Sequence, residues 1–300
     1  MLICLWDSLR IDYSQHFKGI FPQEGWNKFR TIAGFTAPVV SSTITGKTPE
    51  ELGLRRDNSD FYASLDGSKI DDMLFDHFDS HISIGRLIGQ PTRCIPLPPS
   101  RLGNAEFAFL PPIKWNAVSN WDVDIYKYFG MKWSGVSPYW VDLIWYHSFV
   151  THGNFSIVDS KGAVESPEIK DGGRVMRNLC FNNPDGMKSL YMQGVNNAIQ
   201  ILEGLRDICD NRETIICFAD HGESFGPMDG MPDVGHFSGM EQHEVLGTVP
   251  IWINRDEKIP ENINNLNMKD WIVEMYQKHE VNNSEYQEFK EWKKKKQQVA

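Results

Sequence analysis

Two short apolar runs, each ending on an acid, constrain this chain more than any other feature. Thr214–Ala219 (TIICFA) is rich in β-branched and apolar residues and does not alternate. That pattern predicts a strand buried on both faces of a parallel sheet. It delivers Asp220, His221, Gly222 and Glu223 together. Leu2–Trp6 repeats the pattern and opens onto Asp7-Ser8-Leu9-Arg10, with Asp12 just beyond. Ligands of open α/β sheets bind outside the carboxyl ends of the strands. A carboxylate beside an imidazole at such a place is a candidate pair of divalent-metal ligands. Helix or turn capping is the alternative for Asp7 and Asp220. For Asp12, solvent exposure or capping is the expectation.

The 300 residues, 41% of them hydrophobic, suffice for one large α/β domain or two small ones. No linker marks a boundary, so residues 1–300 read as a single domain. The formal charge of −10 argues against a broad basic face, so no nucleic-acid partner is expected. Cys4, Cys94, Cys180, Cys209 and Cys217 show no paired spacing. Cys4 and Cys217 lie inside apolar runs, where small buried thiols are expected rather than a disulfide. No apolar stretch is long enough to span a bilayer, and the first residues lack the pattern of a signal peptide. The expectation is a cytoplasmic protein of undetermined oligomeric state.

Phe35–Gly46 (FTAPVVSSTITG) is the second informative stretch. Pro38 belongs in the first turn of a helix, which puts Thr36 at or just before a helix N-terminus. A hydroxyl there lies in the positive end of the helix dipole, beside unpaired N–H groups that suit a phosphate-like anion. A threonine oxygen becomes a nucleophile at neutral pH only if a metal ion lowers its pKa. A plain N-cap is the alternative reading of Thr36.

Taken together, these stretches resemble the alkaline phosphatase superfamily, and within it the sulfatase-like branch. The resemblance is carried by Asp7 to Asp12 as D-S-L-R-x-D, by Thr36, Pro38, Thr45 and Gly46 at the spacing of the nucleophile helix, and by Asp220 to Glu223 as D-H-G-E. Gly235-His236 and the later strand Val249–Ile253 extend it, as do a helix over Tyr191–Leu205 and a strand leading to His152. The resemblance implies a three-layer α/β/α sandwich with a mostly parallel central sheet. It implies a metal site of Asp7, Thr36, Asp220 and His221 with Thr36 as catalytic nucleophile, and His152 and His236 as substrate-binding residues or ligands of a second metal. The cofactor is at least one divalent ion, Zn, Mn or Mg.

Two departures bear on the reaction. Val39-Val40 replace the Ser-Arg of sulfatases, and Thr36 cannot be converted to their formylglycine. The expected activity is therefore a metal-dependent phosphate-ester hydrolase or phosphotransferase, of the phosphatase or phosphodiesterase kind. The substrate would be a small molecule or a lipid or sugar phosphate. A sulfate-ester hydrolase lacking formylglycine and an inactive binding module are the alternatives. For a second metal, no Asp stands at the Asp-xxx-His spacing, since Asp142 and His147 are one residue too far apart.

The remaining chain says less. Lys69–Phe78 reads as a helix, Ile82–Gly85 as the start of a strand, and Trp140–Val150 as a core strand in which His147 is expected to be structural. His243 and Glu244 are expected to be structural too. An aromatic-rich cover spans about residues 90–140, either packing over the sheet or gripping an organic leaving group. Met268–Lys278 reads as an amphipathic helix. A polar helical tail spans about 280–300, and its Lys293–Lys296 run is expected to be solvated.

Overall fold

The computed structural model describes residues 1–22, 25–53, 72–79, 81–84, 142–148, 150–152, 157–158, 164–165, 179–209, 213–232, 234–236 and 241–297. The aromatic-rich segment at about 90–140 lies outside these residues, as does Cys94.

The central sheet contains β1 (Leu2–Trp6), β2 (Trp26–Arg30), β3 (His81–Ile84), β4 (Leu143–Ser148), β5 (Ile215–Ala219) and β6 (Thr248–Ile253). Their order across the sheet is β2-β6-β5-β1-β4-β3. β5, β1, β4 and β3 run parallel, whereas β6 is antiparallel to both β5 and β2. The sheet is thus mostly parallel, as expected. β1, β4, β5 and β6 are buried at every position, which is why these strands read as unbroken apolar runs.

Both faces of the sheet are covered. On one, Trp145 and Phe218 meet edge to face, and Phe75 from the turn Leu74–His77 packs on Trp145. This turn, helix α1 (Thr36–Thr45) and helix α3 (Met268–Tyr276) pack against one another. On the opposite face, Trp252 stacks with Phe17 and Phe21, and the segment Ile11–Phe17 packs on the long helix α2 (Pro184–Cys209). The result is an α/β sandwich.

α1 starts at Thr36, with Pro38 in its first turn and no side chain capping its N-terminus. It ends at Gly46, whose φ of 71° is the left-handed conformation that glycine adopts freely. A Cβ at Gly46 would also stand 3.1 Å from the carbonyl of Leu266. Val39 and Val40, the departures from the sulfatase pattern, are wholly buried.

Two expectations change. The helix predicted over Lys69–Phe78 is, among the described residues, the short 3-10 turn Leu74–His77. The C-terminal helix α4 (Ser284–Gln297) is not simply solvated: Tyr286 and Lys290 are buried, and Lys290 pairs with the buried carboxylate of Asp142. At the amino edge of the sheet the Met1 ammonium donates to the Asp142 carbonyl, Glu213 and Glu280, and Lys290 closes on the Asp142 carboxylate beside them. Asp142 therefore sits at the end of β4 opposite the candidate site and contributes nothing to a second metal there.

Candidate metal centre

The parallel register decides which side chains meet. Trp6 pairs with Ala219 and with Ser148, so Asp7 and Asp220 are the next residues on neighbouring strands. Both side chains turn to the face that carries α1, because side chains alternate along a strand. His147 pairs with Leu5 and shares that face.

The first turn of α1 completes the group. Thr36 Oγ1 lies 3.3 Å from Asp7 Oδ2 and 3.2 Å from His221 Nε2. His221 Nε2 is 3.4 Å from Asp220 Oδ2 and 3.9 Å from Asp7 Oδ1. The structure thus brings together Asp7, Thr36, Asp220 and His221, the four residues expected to hold a metal.

Surrounding contacts fix each group. Ser8 stands in the left-handed region at φ 63°, an uncommon state for a non-glycine residue. Its N–H donates to Asp220 Oδ1 at 3.0 Å, and its hydroxyl donates to Asp7 Oδ1 at 2.9 Å. The Tyr191 hydroxyl, from α2, donates to the Ser8 carbonyl and accepts from the Arg10 N–H. His221 Nδ1 is 2.8 Å from the Gly222 carbonyl, which can only accept. Nδ1 therefore carries the proton, leaving the Nε2 lone pair aimed at Thr36.

Electrostatics agree with a ligand set. Burial, with His236 behind it, lowers His221 to about 4, so its imidazole is neutral. Burial and the facing Asp7 raise Asp220 to about 7. Burial alone would raise Asp7, but His152, His147 and His221 hold it well below the usual carboxylate range.

The fit to a divalent cation can be judged from donor separations. Donors about 2.0–2.2 Å from one ion stand roughly 3–4 Å apart, which matches the contacts among Asp7, Thr36, Asp220 and His221. Asp220 Oδ2 is fully buried with no donor aligned on it. A buried carboxylate oxygen in that state is costly unless a cation meets it. The residues fit the group.

His152 and His236 lie on the rim. His152 Nε2 is 3.8 Å from Asp7 Oδ1, and its ring centre is 5.3 Å from that of His236. The His236 ring stands 4.5 Å from that of His221. Glu223, buried beneath, meets His236 Nδ1 at 3.2 Å. Burial works to lower His236, but Glu223 raises it to about 9, so it carries positive charge facing the site.

Two residues gain partners that the sequence does not specify. His147, expected to be structural, is buried with Nε2 3.3 Å from Asp7 Oδ2. Its signal lies in the register, which a single strand pattern does not reveal. Asp12 does not merely face solvent: it pairs with Arg10, accepting from Nε at 2.9 Å and Nη2 at 2.8 Å.

No protein-family model matches the chain, and no curated protein matches it. Solved structures do. A 2-O GAG sulfatase superposes with a TM-score of 0.59 at 13% identity, covering 92% of this chain and 70% of its own. The C-terminal periplasmic domain of phosphoethanolamine transferase EptC from Campylobacter jejuni gives 0.53 at 13% identity, covering 95% and 92%. The corresponding EptC domain from Escherichia coli, solved in complex with Zn, gives 0.53 at 12% identity, covering 93% and 81%. Among the described residues, no helix is long and apolar enough to cross a membrane.

Proposed function

From the alkaline phosphatase and sulfatase superfamily fold, which this chain has, we propose a metal-dependent hydrolase or transferase of phosphate esters that works through a covalent intermediate on Thr36. One observation carries this reading. The Thr36 oxygen stands at an uncapped helix N-terminus, within 3.3 Å of Asp7 and 3.2 Å of a neutral His221.

A bound divalent cation would supply the positive charge that lowers the pKa of the Thr36 hydroxyl. Asp7, Thr36, Asp220 and His221 would hold it. The Thr36 hydroxyl gives its proton to solvent as its oxygen bonds to phosphorus. The bond from phosphorus to the ester oxygen opposite breaks, and that oxygen takes one proton from solvent and leaves as the alcohol. His236, cationic beside Glu223, and His152 face the same space and offset charge on the non-bridging oxygens. Water or an acceptor alcohol then attacks phosphorus and releases Thr36. The N-terminus of α1 favours an anion throughout.

Threonine rather than a formylglycine precursor supports phosphate over sulfate esters. The substrate class is a small-molecule, lipid or sugar phosphate. Cytoplasmic residence belongs to the same reading, supported by Cys4 and Cys217, free thiols paired across β1 and β5.

The test is turnover of an aryl phosphate, a phosphodiester and an aryl sulfate by the wild type and Thr36→Ala. Phosphate-ester turnover lost in the variant, with a phosphate trapped on the wild-type peptide containing Thr36, supports the reading. Equal turnover by Thr36→Ala overturns it.

A further inference from the structure

We infer that His147 is a direct ligand of the cation, adding a second imidazole from the floor of the sheet to the set of Asp7, Thr36, Asp220 and His221. The inference rests on the proposed metal-dependent reading and defines which ions that site takes.

The argument starts from position. His147 is the fifth residue of β4, a strand buried along its whole length, and its side chain is 1% exposed. An imidazole there gives up its hydration and needs a polar counterpart in return. Register supplies one. Leu5 lies opposite His147, and Asp7, two residues on, shares that face. Nε2 reaches to 3.3 Å from Asp7 Oδ2, the same oxygen that Thr36 approaches at 3.3 Å.

Geometry then extends to the second acid. Ligand atoms of Asp7, His147 and Asp220 all lie within 4.8 Å of one another, and all three residues are buried. Donors about 2.1 Å from a single ion are separated by at most about 4.2 Å when opposite. Only a small adjustment joins these three to one ion. His221, which is not in that group, reaches the same ion from the Asp220 side, at 3.4 Å from Oδ2, by a shift of its ring. The buried Asp220 Oδ2, with no aligned donor, is the second observation pointing into this space. β4 is also laced to Asp7 beyond His147: the Asp7 N–H donates to the Ser148 carbonyl at 3.0 Å, and Thr151 Oγ1 donates to the Asp7 carbonyl at 2.6 Å. The strand carrying His147 is held in fixed register with the carboxylate.

The chemical consequence is selectivity. Carboxylates and a hydroxyl suit Mg²⁺, Ca²⁺ and Mn²⁺, whereas two imidazoles move the site toward Zn²⁺ and Co²⁺.

The experiment loads the full chain with one molar equivalent of Zn²⁺ and counts imidazoles by X-ray absorption fine structure. It then compares Co²⁺ visible spectra and Zn²⁺ titrations for the wild type, His147→Ala and His147→Gln, with circular dichroism confirming the fold. Expected are two imidazoles in the wild type, one in His147→Gln, shifted Co²⁺ bands in both variants and at least tenfold weaker Zn²⁺ binding. A single imidazole in the wild type overturns the inference even if neither variant folds, and so do wild-type Co²⁺ bands in His147→Gln. Either result leaves the metal-dependent reading standing. Absence of any Zn²⁺ or Co²⁺ binding by the wild type overturns both.

Discussion

Asp7 and Asp220 stand side by side at the carboxyl ends of adjacent parallel strands, each one residue past the Trp6–Ala219 pair. Both are buried. Asp220 Oδ1 is tied to the N–H groups of Ser8 and His221, while its Oδ2 has no donor aligned on it. Two like charges facing each other out of water repel, and a cation between them removes that cost. Stability of the metal-free protein and affinity for metal are therefore opposed at this pair.

Asp220→Asn makes the opposition measurable. Burial and Asp7 raise Asp220 from 3.8 to about 7 in the folded state. An acid whose folded pKa is raised contributes full stability below its unfolded pKa and loses it as pH rises through the folded value. In EDTA, the variant should match the wild type near pH 4. It should become more stable by on the order of 1–3 kcal/mol near pH 8, because the amide oxygen can still accept from Ser8 and His221. Metal binding should fall sharply at the same time. Urea denaturation at the two pH values, with a Zn²⁺ titration, checks both signs.

Metal removal from the wild type should act in the other direction. Any ligand that binds only the folded state stabilises it by mass action, about 2.7 kcal/mol at a hundredfold excess over Kd. For a domain of this size that corresponds to roughly 4–8 °C in melting temperature. Melting in EDTA, then after Zn²⁺ is restored, should show this shift. Asp220→Asn should show little or none.

Gly222 is where a single methyl group should disturb the centre. A Cβ there would lie 1.7 Å from the Val245 carbonyl oxygen, while the Gly222 N–H donates to the Leu246 carbonyl at 2.9 Å. Backbone on both sides leaves no side chain to yield. Gly222→Ala must move the chain next to His221, at a cost of about 2–3 kcal/mol. It should also weaken Zn²⁺ binding at least tenfold. Gly230→Ala is the control. It meets nothing within 4 Å but has φ 70°, so it should cost only about 1 kcal/mol. Titration calorimetry and thermal melts separate the two.

Much of this arrangement was legible in the chain. The apolar runs at Leu2–Trp6 and Ile215–Ala219 mark central strands because burial on both faces removes alternation. Pro38 fixes the start of α1, and with it the place of Thr36. The partner of His147 was not legible, because it depends on which residue of β1 lies opposite, and register is a tertiary property. The helical tail misled for a related reason. Its composition is polar, yet Lys290 lies buried against Asp142, a partner 148 residues away. The Arg10–Asp12 pair was not legible because Arg10 is held in place by Asp229, 219 residues on.

Arg10 supports the last prediction. Its guanidinium is buried and shares five contacts: two with Asp12, two with Asp229, and one from Nη1 to the Glu223 carbonyl at 2.8 Å. It also lies over the Phe225 ring at 4.1 Å. Burial works to lower its pKa, but Asp12 and Asp229 raise it further, so the charge is fixed. Through Glu223 it ties the end of β1 to the segment that carries the partner of His236. Lysine offers one point charge and cannot span two carboxylates and a carbonyl. Arg10→Lys should therefore lose about 1–3 kcal/mol, because Asp229 keeps the Phe225 N–H and a positive charge nearby but loses its bidentate partner. Asp229→Asn should cost less in the Arg10→Lys background than alone, with a coupling energy of at least about 1.5 kcal/mol. Urea denaturation of the four proteins measures that coupling. Additive costs would mean that the guanidinium serves its packing on Phe225 and Tyr13 rather than its ion pairs.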